Sequence, residues 1–229
     1  MRQNICIVAG GVVCLAAVAA QGQVAFVSRS SVISANSNQG SPASASTSGF
    51  DPFDQTVSSN GFRGNGGARQ NSSLTGGVGG GAGVNWSLSS AAISVFGSPM
   101  SGGSGSASAG NTLTVTFDVA SAVDYTLSGS TPMWPGFVGS DYIRLSRLSG
   151  VDGAGVLYQH QYPDVDGAYF NTGALTPGRY ELAINFSLFA GAGAVWSFDS
   201  SGSLTITPAP GAAAVMGFAG LAAARRRRF

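Results

Sequence analysis

Residues 112–119 read TLTVTFDV. In an extended chain Leu113, Val115, Phe117 and Val119 fall on one side, and Thr112, Thr114, Thr116 and Asp118 on the other. A period of two lets a β-strand bury one face and wet the other. An amphipathic helix needs apolar positions every three or four residues instead. Short apolar runs or alternations return in VDYTLSGS, DYIRLSRL, GVLYQHQY, GAYFNTG, GRYELAINFSLF and AVWSFDSSGSLTIT, parted by Gly, Ser, Asn and Pro. In DYIRLSRL, Tyr142, Arg144, Ser146 and Leu148 alternate with Ile143, Leu145 and Arg147. Strands recurring about every ten residues, with no long helical period between the two chain ends, predict an all-β fold: an antiparallel β-sandwich or jelly roll. A Gly-rich β-solenoid is the other all-β solution, but no repeat of fixed length supports it.

The first half is harder to read. QVAFVSRSSVISA (residues 23–35) predicts one or two strands, and the Ser/Ala/Asn-rich residues 36–49 predict a loop. Residues 61–110 hold 15 glycines, including GGVGGGAG at 76–83. Inside them VNWSLSSAAISVFG (84–97) is strand-like, with Trp86, Leu88, Ile93, Val95 and Phe96 as candidate core. In LTPGRYEL (175–182), Pro177 and Gly178 suit the centre of a type II turn, where Pro presets φ and Gly accepts a positive φ. Tyr180 then opens a strand. This stretch resembles the L-x-P-G-x-Y-x-L segment of many extracellular β-sandwich modules, carbohydrate-binding ones included, and it speaks for fold rather than for binding.

Composition narrows the function. Hydrophobic residues make up 44% of the chain, with 13 Phe, too much apolar surface for an open coil despite only 9% charged residues. The formal net charge of +1 comes from the ends. Residues 21–207 hold six arginines, no lysine and ten acids, a net of −4. A mildly acidic body without a basic patch argues against nucleic acid as a partner. Both cysteines, Cys6 and Cys14, lie in the first apolar run, so the body has neither a disulfide framework nor a thiolate metal site.

The ends read as addresses. Residues 1–20 combine Arg2, an apolar run and small residues before Gln21, the pattern of a cleaved signal peptide read by the secretion machinery and signal peptidase. Ala17 and Ala19 place cleavage after Ala19; Ala20 and Gly22 are alternative sites. At the other end, residues 212–224 carry no polar side chain and include seven alanines. As a helix they reach about 20 Å, against about 30 Å of bilayer hydrocarbon, a short and weak transmembrane helix. Pro208 and Pro210 keep that helix from starting earlier. Arg225, Arg226, Arg227 and Arg228 would stay on the cytoplasmic side.

Pro208, Ala209, Pro210 and Gly211, the apolar helix and the arginine cluster together resemble the sorting signal of PEP-CTERM proteins, in a variant with Pro-Ala-Pro for Pro-Glu-Pro. The resemblance covers residues 208–229. It implies export in a Gram-negative bacterium, transient residence in the inner membrane, recognition by an exosortase-type transpeptidase, and delivery to the cell surface or extracellular matrix. It implies nothing about the activity of the single body domain, residues 21–207.

No catalytic constellation stands out. His160 is the only histidine, lies between glutamines in LYQHQY, and is expected as an exposed strand residue. No G-x-S-x-G elbow accompanies it. Glu181 is the only glutamate, and the aspartates are dispersed; Asp51 and Asp54 are expected to cap turns. Asp164 and Asp166 in DVDG could open an oxygen-rich calcium loop, but no EF-hand glutamate follows and a plain Asx-turn is the simpler reading. Trp134, with Phe137 in the Pro/Gly loop STPMWPGFVGSDY, either stacks on a sugar or plugs the sandwich end. Trp86 and Trp196 read as core. Asn71 and Asn185 fit a glycosylation acceptor pattern without meaning in a bacterial protein. The expectation is an exported, non-enzymatic surface or matrix protein without a cofactor. A carbohydrate-binding module using Trp134 is the alternative, with extracellular polysaccharide as partner, and a hydrolase comes last.

Overall fold

A computed structural model describes residues 24–76, 81–94, 105–131, 141–161, 167–191 and 193–209. Its strands are β1 (Val24–Ser37), β2 (Ala43–Thr47), β3 (Phe53–Gly61), β4 (Gly64–Gly76), β5 (Ala82–Ser94), β6 (Ala107–Val119), β7 (Val123–Thr131), β8 (Tyr142–Gly150), β9 (Gly155–Gln161), β10 (Gly167–Leu175), β11 (Gly178–Ala190) and β12 (Val195–Pro208). They form two antiparallel sheets, ordered β2-β1-β6-β11-β8-β9 and β10-β7-β12-β5-β4-β3. The sequence expectation of an all-β sandwich holds. Within it β5 pairs with β12, β6 with β11, β7 with β10 and β8 with β9. These nested pairs are a long hairpin folded over itself, the strand order of a jelly roll. The hairpins β1–β2 and β3–β4 widen the two sheets beside β6 and β5.

The alternation in β6 does what its period dictates. Leu113, Val115, Phe117 and Val119 are buried, while Thr112, Thr114, Thr116 and Asp118 are half-exposed. They pack with Val84, Leu88, Leu127, Leu182, Ile184 and Leu204 in the main core between the sheets. Trp86 is buried there, and Trp196 is half-buried against it, with Phe198 as the buried aromatic of β12. A smaller core of Ile33, Phe53, Ala68 and Ala109 joins the added hairpins.

Several sequence expectations change. The segment read as a loop over 36–49 contains β2, which pairs with β1 from Ser31↔Thr47 to Ala35↔Ala43. Asp54 lies within β3 and pairs with Arg69 at 3.5 Å, so it caps no turn. Part of the glycine-rich stretch is β4, where Gly66 serves close approach. A Cβ on Gly66 would lie 2.5 Å from the carbonyl oxygen of Ser108 and 2.8 Å from that of Asn36, both on the facing sheet. Gly178 is not in the positive-φ region that a type II turn requires. It opens β11 against the backbone of Ser149 and Gly150, which a side chain would strike.

What LTPGRYEL does build is a corner. The Tyr180 hydroxyl donates to the Thr176 carbonyl at 2.7 Å and accepts from Arg147 Nε at 3.2 Å. Its ring stacks on Phe117 at 5.7 Å. A tyrosine at a strand start bonded back to the preceding turn locks such corners in β-sandwiches.

The added hairpins are tied across the sandwich by Arg29 of β1, which is 2% exposed. Its Nε donates to Ser31 Oγ at 3.1 Å, Nη1 to the Asp51 carbonyl at 2.5 Å, and Nη2 to the carbonyl and Oγ of Ser72 at 3.1 and 2.5 Å. Phe53 lies 6.0 Å beneath the guanidinium. Among the described residues no carboxylate pairs with it, and burial lowers its pKa. Neutral oxygens therefore replace the water that a buried cation loses.

The signal segment 1–20, the tail from Pro210 onward, and Val95 and Phe96 lie outside the described residues. Among those described, no helix is long and apolar enough to cross a membrane. Pro208 ends β12, so the folded strand reaches one residue past the expected body boundary.

Candidate functional site

Both described ends of the chain leave the sandwich together. Val24 of β1 pairs with Val119, and Pro208 of β12 pairs with Val123, across the turn at 120–122. A polar cleft of about 310 Å³ lies at the opposite end. It is built from three neighbouring strands: Asn36 of β1 pairs with Ser108 of β6, which pairs with Phe189 of β11. Successive side chains point to opposite sheet faces, so these three share the outer one. Asn36 and Phe189 are exposed, the latter at 49%, and Ser108 is half-buried between them.

The turn after β1 forms the rim. The Asn38 amide donates to the Ser106 carbonyl at 2.8 Å, and the Gly40 amide to the Ser37 carbonyl at 3.1 Å. Between them Gln39 has φ 63°, the only non-glycine residue with positive φ among the described residues. Asn38 and Gln39 project into solvent beside the cleft. Ser37, Ser106 and Ala107 complete the lining, which contains no charged residue. An aromatic face, amides and hydroxyls without charge can hold a neutral, hydroxyl-rich molecule: amides supply donors and acceptors, and a ring covers an apolar sugar face. Little in the chain's pattern hints at this site. ANSNQG (35–40) signals a turn, but Phe189 is distant in the chain and its partners emerge only from strand register.

His160 is not the exposed residue expected from sequence. It is 4% exposed, its Nε2 is 2.9 Å from Thr131 Oγ1, and its ring lies 5.0 Å from that of Tyr169. Burial lowers its pKa, which favours the neutral ring. Thr131 ends β7 in one sheet and His160 lies in β9 of the other, so the contact bridges the layers. Glu181 is half-buried on β11, 4.0 Å from Arg144, and is not joined to His160 in any hydrogen bond or ion pair described. Asp118 lies against Arg179 at 2.8 and 2.9 Å, which holds its carboxyl below the usual range.

Asp141, just before β8, is a further buried ionisable group. It is 1% exposed and accepts the Ser187 amide at 2.9 Å, while Oδ2 has no partner among the described residues. Burial raises its pKa to about 7. Trp134, Phe137, Asp164 and Asp166 lie outside the described residues, as do Ala17, Ala19 and Ala20 and the tail residues Pro210, Gly211 and Arg225 to Arg228. Ala209 is half-buried beyond β12. Among the described residues no group of three or more His, Cys, Asp or Glu is gathered for a metal.

No family model and no curated protein matches the chain. It is similar to a solved structure of carbohydrate-binding modules from the β-sandwich superfamily, at 10% identity over 78% of this chain and 84% of that one, with a TM-score of 0.23. A structure of infectious bursal disease virus Gx strain matches at 13% identity over 82% and 58%, TM-score 0.26. The enzymatically active domain of tailspike protein 4 from bacteriophage CBA120 matches at 15% identity over 62% and 18%, TM-score 0.20. Similarity at this level says nothing of what this chain binds or does.

Proposed function

We propose that this protein is an exported, non-enzymatic β-sandwich that serves at the cell surface or in the extracellular matrix, delivered by its C-terminal sorting tail. The observation that carries this reading is the position of the two ends. β1 begins at Val24 and β12 ends at Pro208, in opposite sheets but at the same end of the sandwich. Signal peptidase cleavage after Ala19, Ala20 or Gly22 and exosortase processing near Pro210 would both leave every described strand intact.

The outer surface supports the same role. On the second sheet Thr172, Thr126 and Thr205 stand in one cross-strand row, and Ser128, Ser203, Asn85 and Ser73 in another. Short uncharged hydroxyls and amides suit a hydrated neutral polymer environment. Removing residues 211–229 tests delivery. Fractionation of the native host should recover the full-length product beyond the inner membrane, and the truncated chain as a soluble periplasmic or secreted protein without a membrane-held stage. Full-length protein confined to the cytosol overturns the proposal.

A further inference from the structure

We propose that the cleft remote from both chain ends binds a neutral glycan, with Phe189 as the stacking face and Asn36, Gln39 and Ser108 as its polar contacts. Three independent features converge there. The first is chemistry. The cleft has no charged residue to select an ion, and its apolar lining is confined to Phe189 and Ala107, too little to hold a greasy ligand. Each sugar hydroxyl both donates and accepts, and side-chain amides answer both needs.

The second feature is an aromatic ring left in water. Phe189 sits on a face otherwise occupied here by Asn36 and Ser108, two strands away and one strand away. Strands lie about 4.8 Å apart, so the row presents a ring and two polar groups within about 10 Å. Its volume, about 310 Å³, lies at the lower end of small-ligand sites, about 300–1,000 Å³, which fits a short stretch of sugar rather than a long chain.

The third is backbone strain. Gln39 adopts the left-handed region, which glycine enters freely and a side chain does not. Such outliers cluster at ligand clamps. A glycine would relieve the strain, but the glutamine carries an amide to the cleft rim.

Position adds a direction. β1 runs 14 residues from the chain-end side to the cleft side, about 40 Å at the rise of a strand. An outward orientation of the cleft would rest on the C-terminal delivery proposed above; its ligand chemistry does not.

The test uses the purified full-length chain in mild detergent and titrates hexasaccharides of glucose, galactose, mannose and N-acetylglucosamine, with a hexuronate as the charged comparison. At least one neutral hexasaccharide should bind, and the hexuronate at least tenfold more weakly. Phe189→Ala should weaken binding tenfold or more, and Phe189→Tyr less than threefold. Gln39→Gly should weaken binding several-fold while its melting midpoint stays level or rises, which separates a ligand contact from a structural role. Absence of binding to every neutral probe, preference for the hexuronate, or binding indifferent to both Phe189→Ala and Gln39→Gly overturns the proposal. Delivery is not read in this assay, so its failure and that of the export reading are distinguishable.

Discussion

Asp141 places a carboxyl group where solvent does not reach, with one oxygen on the Ser187 amide and the other without a partner among the described residues. Its folded pKa of about 7 lies above the ordinary 3.8, so the folded state holds the proton more tightly than the unfolded one. Its contribution to stability is therefore full below about pH 4 and is lost as pH rises through 7. His160 acts in the opposite sense: its lowered pKa means its contribution is full above the ordinary histidine value of about 6.5 and is lost as pH falls below that value. Thermal midpoints of the protein and of Asp141→Asn, compared from pH 4 to 8, isolate the carboxyl. The variant should gain relative to the parent as pH rises and level off above 7; parallel curves would refute the assignment. Tyr180 gives a second residue-scale prediction. Tyr180→Phe keeps the ring on Phe117 but strands the Thr176 carbonyl and Arg147 Nε, and urea unfolding should register a loss of about 1–2 kcal/mol.

At the scale of elements, strict alternation explains what was legible. β6 through β12 were visible because Leu, Val, Ile, Phe and Tyr recur at period two and meet across the main core. His160 could have been read by parity, since it shares the inward face of β9 with Tyr158. β3 and β4 were hidden for a different reason. The inward positions of β4 are largely Gly, Ala, Ser and Gln, and at Gly66 the facing sheet comes too close for a side chain. Gly66→Ala should therefore cost about 1–3 kcal/mol through forced separation of the sheets, measured by denaturant midpoint. Arg29→Ala should act on the same hairpins. It removes the tie from β1 to Asp51 and Ser72, so amide exchange should quicken in β2, β3 and β4 more than in the jelly-roll strands. Uniform acceleration would show that the hairpins unfold only with the rest. The cleft was illegible because no periodic signal links Asn36, Ser108 and Phe189; only register does.

The described body has a polarity that neither half displays alone: Val24 and Pro208 at one pole, an uncharged cleft at the other, and long strands between. Cleavage before Val24 and after Pro208 would remove none of the described strands. Mass spectrometry of the protein recovered from envelope and medium of its native host tests this most directly. The account predicts a mature start at residue 20, 21 or 23 and a C-terminus near Pro210. An unprocessed chain running from Met1 to Phe229 in the cytosol would contradict it.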